Sequence, residues 1–236
     1  MRSVGKLVSQ MKPDLSLVGV GLYTPAEVER LTGIRSNKIV RWLRGHTVGN
    51  KKYDPLWEPQ VDIGDGRIYL GFLDLIQTRV AAAFIEAGLS PQKVRKAIIL
   101  GRQIVESTYP FANARFRTDG RTVILEVLQP GEDDRVIDLF RGGQYVMKRI
   151  IEPSLKGIDF EDDLAVRWWP LGKAKGIVVD PSRQFGQPLD AKTGVPTAVL
   201  ARAVEAEGSM KKAAQAFMVP VTSIKRAVYF EQRQAA

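Results

Sequence analysis

The sequence predicts an α+β chain with three parts: an N-terminal winged helix-turn-helix, a small antiparallel β-rich middle region, and a C-terminal three-helix, helix-turn-helix-like domain. Three observations predict it. Two stretches, 24–44 and 197–232, read as short helices parted by turns that Gly or Pro marks. A Gly64-Asp65-Gly66 turn lies between the alternating pairs Val61/Ile63 and Ile68/Leu70. Between 107 and 179, short β-rich runs are punctuated by Asp119-Gly120, Gly142-Gly143 and several prolines. The expected divisions are an arm over 1–20, the winged unit over 21–106, a β-rich linker and dimerisation region over 107–179, and the C-terminal domain over 180–236.

The arm starts with Lys6, Lys12 and Pro13. Leu15, Leu17, Val18, Val20, Leu22 and Tyr23 after them suit a short strand or packing against the first domain. The first helix begins at Thr24, an N-cap followed by Pro25 at the first helical position and by Glu27, which completes a capping box. Thr32-Gly33 breaks it, and Ile34 plugs the turn. In the second helix Ile39, Val40 and Leu43 face inward with Trp42 at their edge, and Gly45 supplies the stop. Arg35, Ser36, Asn37, Lys38, Arg41 and Arg44 are left on its open side. Between 35 and 53 there are six Lys or Arg, among them Lys51 and Lys52, and no Asp or Glu. Two helices of this size, basic on the second only, have the form of a DNA reader.

The Gly64-Asp65-Gly66 turn makes 61–70 a wing with Arg67 near its tip, suited to phosphate or the minor groove. Phe72, Leu75, Ile76, Val80, Phe84 and Ile85 repeat at helical spacing and predict a helix over 72–87. Ser90-Pro91 opens another, apolar at Val94, Ala97, Ile98 and Ile104, basic at Lys93, Arg95, Lys96 and Arg102.

In the middle, Asp119-Gly120 predicts a hairpin between 114–118 and 121–128. A loop over 129–134, a short strand over 136–139 and a helix from about Tyr145 follow. Runs at 158–160, 164–169 and 176–180 read as strands of one antiparallel sheet. Trp168-Trp169-Pro170 reads as core plus edge. In the last part, 184–189 is a turn-rich strip, Thr197 caps a helix with Val199, Leu200, Ala203 and Val204 buried, and Ser209 and Thr222 cap two more. The final helix is expected to expose Ser223, Lys225, Arg226 and Tyr229.

Charge and missing residues narrow the function. With 35 Lys and Arg against 26 Asp and Glu, the net charge is +9, which favours an anionic partner, most simply nucleic acid. The segment 126–163 runs the other way, with ten acids against five bases, and suits a protein partner. The absence of cysteine excludes disulfides, iron–sulfur clusters and thiolate zinc, and the single histidine, His46, cannot build a histidine-rich metal site. No cofactor is expected. No run approaches the roughly 18 residues that a membrane span needs, and the start has no leader-like apolar core, so a cytoplasmic, non-membrane location is expected. Glu161, Asp162 and Asp163 are adjacent acids that a strand would split between faces, which argues against a metal-dependent enzyme.

Two resemblances carry these readings further. Residues Tyr23-Thr24-Pro25-Ala26-Glu27-Val28, Leu31-Thr32-Gly33-Ile34, Arg41-Trp42, Gly66-Arg67-Ile68-Tyr69-Leu70 and Ala87-Gly88-Leu89-Ser90 resemble the MerR-type winged helix-turn-helix over about 20–105. That family continues into a long dimerising helix, where this chain has Pro110. Phe185-Gly186-Gln187-Pro188, Thr193-Gly194-Val195-Pro196-Thr197 and the helices to Tyr229 are similar to a small homeodomain-like antitoxin domain. The whole layout resembles a long, two-domain Vap-type antitoxin. The resemblance implies a non-enzymatic type II antitoxin that binds a PIN-like ribonuclease toxin and represses its own operon. Double-stranded operator DNA, the toxin and a second copy of the chain would be its partners. The sites would be Ser36, Asn37, Lys38 and Arg41 for bases, Arg35, Arg44, Lys51, Lys52 and Arg67 for phosphates, and Ser223, Lys225 and Arg226 on the last helix. The alternative is a MerR-like transcriptional regulator without a toxin.

Overall fold

The apolar spacing over 72–86 builds the helix on which much of the fold rests. The structure, a computed structural model, describes residues 19–128 and 146–235. It is mixed α and β, with two small antiparallel sheets. Helices α1 (Pro25–Thr32) and α2 (Ser36–Arg44) precede a hairpin of β1 (His46–Val48) and β2 (Lys51–Tyr53). Helices α3 (Phe72–Glu86), α4 (Pro91–Ile104) and α5 (Phe116–Val127) follow. A helical stretch then opens with wide π-type turns over Val146–Ile151 and closes as Glu152–Ser154. Strands β3 (Ile158–Glu161), β4 (Leu164–Trp168), β5 (Ile177–Val179) and β6 (Pro188–Asp190) make a four-stranded meander in chain order. Helices α6 (Thr197–Glu207), α7 (Met210–Ala216) and α8 (Val221–Ala235) close the chain.

Helix α3 is buried on most of its circumference, with Leu75, Ile76, Val80 and Phe84 fully enclosed. Its start is capped from inside. The buried Asp74 carboxylate accepts the backbone N–H of Gly71 at 2.9 Å and of Gln60 at 2.7 Å, and the Trp57 indole N–H at 2.8 Å. Burial pushes its pKa up to about 6, while the three donors pull the other way. One apolar core runs from Tyr23 through α3, α4 and α5 to Trp168 and Val179, so the sheet packs on the N-terminal helices. A second, smaller core joins Leu200, Ala203, Ala213, Ala214, Ile224 and Ala227.

Several expectations change. Asp119-Gly120 makes no hairpin: 116–127 is one helix. Phe116, Val123, Ile124 and Val127 share its buried face, and Gly120 is there for packing. A Cβ at Gly120 would lie 2.9 Å from Ile151 Cδ1 and 3.0 Å from the Phe116 ring. Around Gly64-Asp65-Gly66 there is one antiparallel bridge, Val61 to Tyr69, and the regular ladder forms instead at His46–Tyr53. Asp62 and Asp65 each accept the backbone N–H two residues on, and these local turns replace ladder bonds. Part of the turn-rich strip over 184–189 is strand β6. Thr197 is not a cap, because its buried hydroxyl donates to Glu231 at 2.5 Å. Asp162 and Asp163 form the two-residue turn between β3 and β4, both at positive φ, while Glu161 pairs with Arg167. Among the described residues no helix is long and apolar enough to cross a membrane. The expected arm up to residue 18, the loop over 129–134, the strand over 136–139 and the Gly142-Gly143 turn lie outside the described residues.

Candidate nucleic-acid interface

The local sequence sets up α1 and α2 as a pair. Glu27 accepts the Thr24 backbone N–H at 2.7 Å, and Thr24 accepts the Glu27 N–H at 3.3 Å. Gly33 ends α1 in left-handed backbone at φ 76°, its N–H donating to the Glu29 carbonyl at 2.7 Å. The Glu29 side chain then reaches across the turn and accepts the Ser36 N–H at 2.9 Å, satisfying the first turn of α2. Hydrogen bonding from Ser36 holds the Glu29 carboxyl below its usual range. Ile39, Trp42 and Leu43 bury one side of α2. Leu56 N–H donates to the Trp42 carbonyl at 2.7 Å and ties the segment after the hairpin to that helix.

The opposite side of α2 is open. Asn37, Lys38, Arg41 and Arg44 on it are accessible, and Arg35 and Ser36 stand at its start. Gly45 turns the chain at φ 72°, and a Cβ there would meet the Tyr53 carbonyl oxygen at 2.5 Å, so the hairpin folds back tightly beside α2. His46 stacks on Tyr53 with ring centroids 4.8 Å apart, and Lys51 Nζ lies 5.3 Å from the Tyr53 centroid.

Between α2, the hairpin and the start of α4 lies a groove of about 600 Å³. Lys38, Arg41, Lys51, Lys52, Arg95 and Lys96 line it, over an apolar floor that includes Trp42, Leu56 and Ile85. Asp54 is its one acid among the described lining residues, and it pairs with Arg95 at 3.7 Å. The other five cations have no carboxylate partner among the described residues.

The structure thus brings Lys38, Arg41, Lys51 and Lys52 together. Arg44 turns elsewhere and donates to the Gly66 carbonyl at 2.8 Å, beside the exposed Arg67. Arg95 and Lys96 join the groove from α4. The basic face of 93–102 is the sequence signal for them, but nothing in the sequence shows which end of that helix meets α2.

On α8 the expectation is corrected. Ser223 is fully buried and accepts from Arg226 at 3.1 Å, while Arg226 donates twice to Asp190, which is itself fully buried. Asp190 also accepts the Thr193 N–H and hydroxyl. A buried carboxylate needs a counter-charge, and that need turns the Ser223–Arg226 side of α8 toward β6. Of the four residues expected to be exposed there, Lys225 and Tyr229 face outward. Among the described residues no group of three or more His, Cys, Asp or Glu is arranged to hold a metal ion.

No protein-family model matches the chain. The chain is 29% identical over 196 residues to the Mycobacterium tuberculosis protein named "Putative antitoxin VapB45", covering 76% of this chain and 80% of that relative. It is 23% identical over 234 residues to the uncharacterized protein Rv2308 of the same organism, covering 94% and 96%. The fold matches the crystal structure of Rv2018 from Mycobacterium tuberculosis with a TM-score of 0.69 at 26% identity, over 89% of this chain and 99% of that one.

Proposed function

We propose that this protein is a Vap-type antitoxin that represses its own operon by binding DNA and neutralises a PIN-like ribonuclease toxin. The groove beside α2 carries this reading. Five cations without carboxylate partners among the described residues line one cavity there, next to a helix that starts with Ser36 and Asn37. A duplex phosphate backbone supplies the anions such a groove lacks, and side chains at a recognition helix's start meet base edges. In this reading 21–106 is a MerR-like winged helix-turn-helix, and the β1–β2 hairpin acts beside the 61–70 loop as a basic wing. Two copies bind a two-fold operator, because a single reader covers few base pairs. The relative's name supports the antitoxin role. Exposed Phe217, Met218 and Val221 around the α7–α8 turn support a protein-binding use of the C-terminal unit.

The test is retention of the protein's own promoter fragment across a salt series. Replacing Lys38 and Arg41 together with Ala is expected to flatten the log–log salt slope by roughly 0.9 for each phosphate left unneutralised. An unchanged slope and unchanged retention would sink the DNA assignment. Co-expression with the adjacent gene product, followed by sizing, tests the toxin assignment separately. A PIN-like neighbour that runs apart from this protein would refute it.

A further inference from the structure

A second basic cleft shares no lining residue with the α2 groove. It holds about 370 Å³ and lies where the helical stretch ending at Ser154, the loop after β4 and the later part of α8 meet. Arg79, Lys156, Lys175 and Arg233 line it from four separate parts of the chain, and no Asp or Glu does among the described residues. None of the four has an ion pair among the described residues.

Arg79 is the unusual member. Its guanidinium carbon lies 4.3 Å from the centroid of the Trp168 ring, and its Nη1 is sealed from water with no hydrogen-bond partner among the described residues. Burial pulls its pKa down to about 10, so it remains charged at neutral pH. A half-buried cation with one sealed nitrogen and a ring face beside it is partly desolvated, and an anion in the cleft that it lines offsets part of that cost. The cavity is of ligand size. Its anchor is half-buried in the cleft wall, which suits a compact anion better than a duplex lying across the opening. Trp169 and Tyr229 add partly exposed rings to the walls.

We propose that this cleft binds a small phosphate-bearing ligand. Arg79 is its half-buried anchor, Lys156, Lys175 and Arg233 close on the phosphate oxygens, and Trp169 and Tyr229 offer stacking surface to an attached base. Because Arg233 and Tyr229 belong to α8 while Arg79 belongs to α3, the ligand would hold the two apolar cores together.

Titration of the full chain with inorganic phosphate and with adenosine 5′-monophosphate tests this, read by tryptophan fluorescence and by thermal midpoint against chloride at equal ionic strength. Saturable quenching and a raised midpoint are expected with both probes. Tighter binding of the monophosphate would assign the ligand to nucleotides, and equal binding to free phosphate. Lys175→Ala and Arg233→Ala each weaken binding by roughly tenfold, as removal of one charge-assisted hydrogen bond does. Arg79→Met abolishes it. Should Arg79→Met fail to fold, the pair Lys156→Ala and Lys175→Ala still decides the matter. No saturable response, an unaltered response in that pair, or displacement of phosphate by a promoter duplex would overturn the proposal.

Discussion

Asp74 shows how much one residue decides. Its carboxylate gathers three donors at the start of the most buried helix. Asn in its place keeps one acceptor oxygen and turns an N–H₂ toward backbone donors. Asp74→Asn is therefore expected to cost about 2 kcal/mol in urea unfolding. The pH dependence is a second readout. The folded pKa is raised from 3.8 to about 6, so the folded state holds the proton more tightly. This group's contribution to stability is full below about pH 4 and falls away as the pH rises to about 6. Unfolding at a series of pH values should show that decline in the native chain and lose it in the variant. The acid is legible as part of the helix over 72–87, but its role is not. A buried carboxylate at a helix start looks in sequence like any first-turn acid, and its partner Trp57 lies in a segment without periodicity.

At the scale of elements, local signals suffice where a single feature controls the chain. The capping box at Thr24, the Gly33 turn and the Ser90-Pro91 opening all stand where the residues indicate. They mislead where packing outweighs local preference. Asp119-Gly120 has the composition of a hairpin turn, yet the ring of Phe116 and the side chain of Ile151 need a residue without Cβ inside a helix. A two-residue hairpin loop that the sequence hides, Asp162-Asp163, looks like a plain acidic run. Both residues sit at positive φ, where Asn-Gly is preferred. The double change Asp162→Asn and Asp163→Gly is expected to stabilise the protein by about 0.5–1 kcal/mol, measured as a shift in denaturation midpoint. On the candidate interface, the cations of α2 are legible from their spacing. That Lys51 and Lys52 fold back beside Lys38 and Arg41 depends on Gly45, and no periodicity encodes that return.

Across the whole molecule, a few specific bonds add to the shared apolar core in joining the N-terminal helices to the C-terminal third. Tyr23 donates its hydroxyl to the Gly186 carbonyl at 2.9 Å, and the Leu22 N–H donates to the Phe185 carbonyl at 3.0 Å. Glu231 on α8 accepts from Arg30 on α1 at 2.9 Å and from the buried Thr197 hydroxyl. The two bonds to Glu231 should not count equally. The Arg30 side chain is 58% exposed, so that pair is screened, while Thr197 is 1% exposed. Arg30→Ala is expected to change stability by less than about 0.5 kcal/mol, and Glu231→Ala to cost about 1–2 kcal/mol. Chemical denaturation of both variants checks the ranking, and equal losses would contradict it. The bonds from Tyr23 and Arg30 are not legible in the sequence, since their partners lie 163 and 201 residues away along the chain.

The clasp of Tyr23 on Gly186 also has a temporal side. A nascent chain leaves the ribosome with its first residues leading, so the opening segment waits for the final quarter to be translated before its own hydroxyl is satisfied. A product terminated before Gly186 would lack the carbonyl that accepts the Tyr23 hydroxyl, while every residue that lines the basic groove, all between 38 and 96, would already be made.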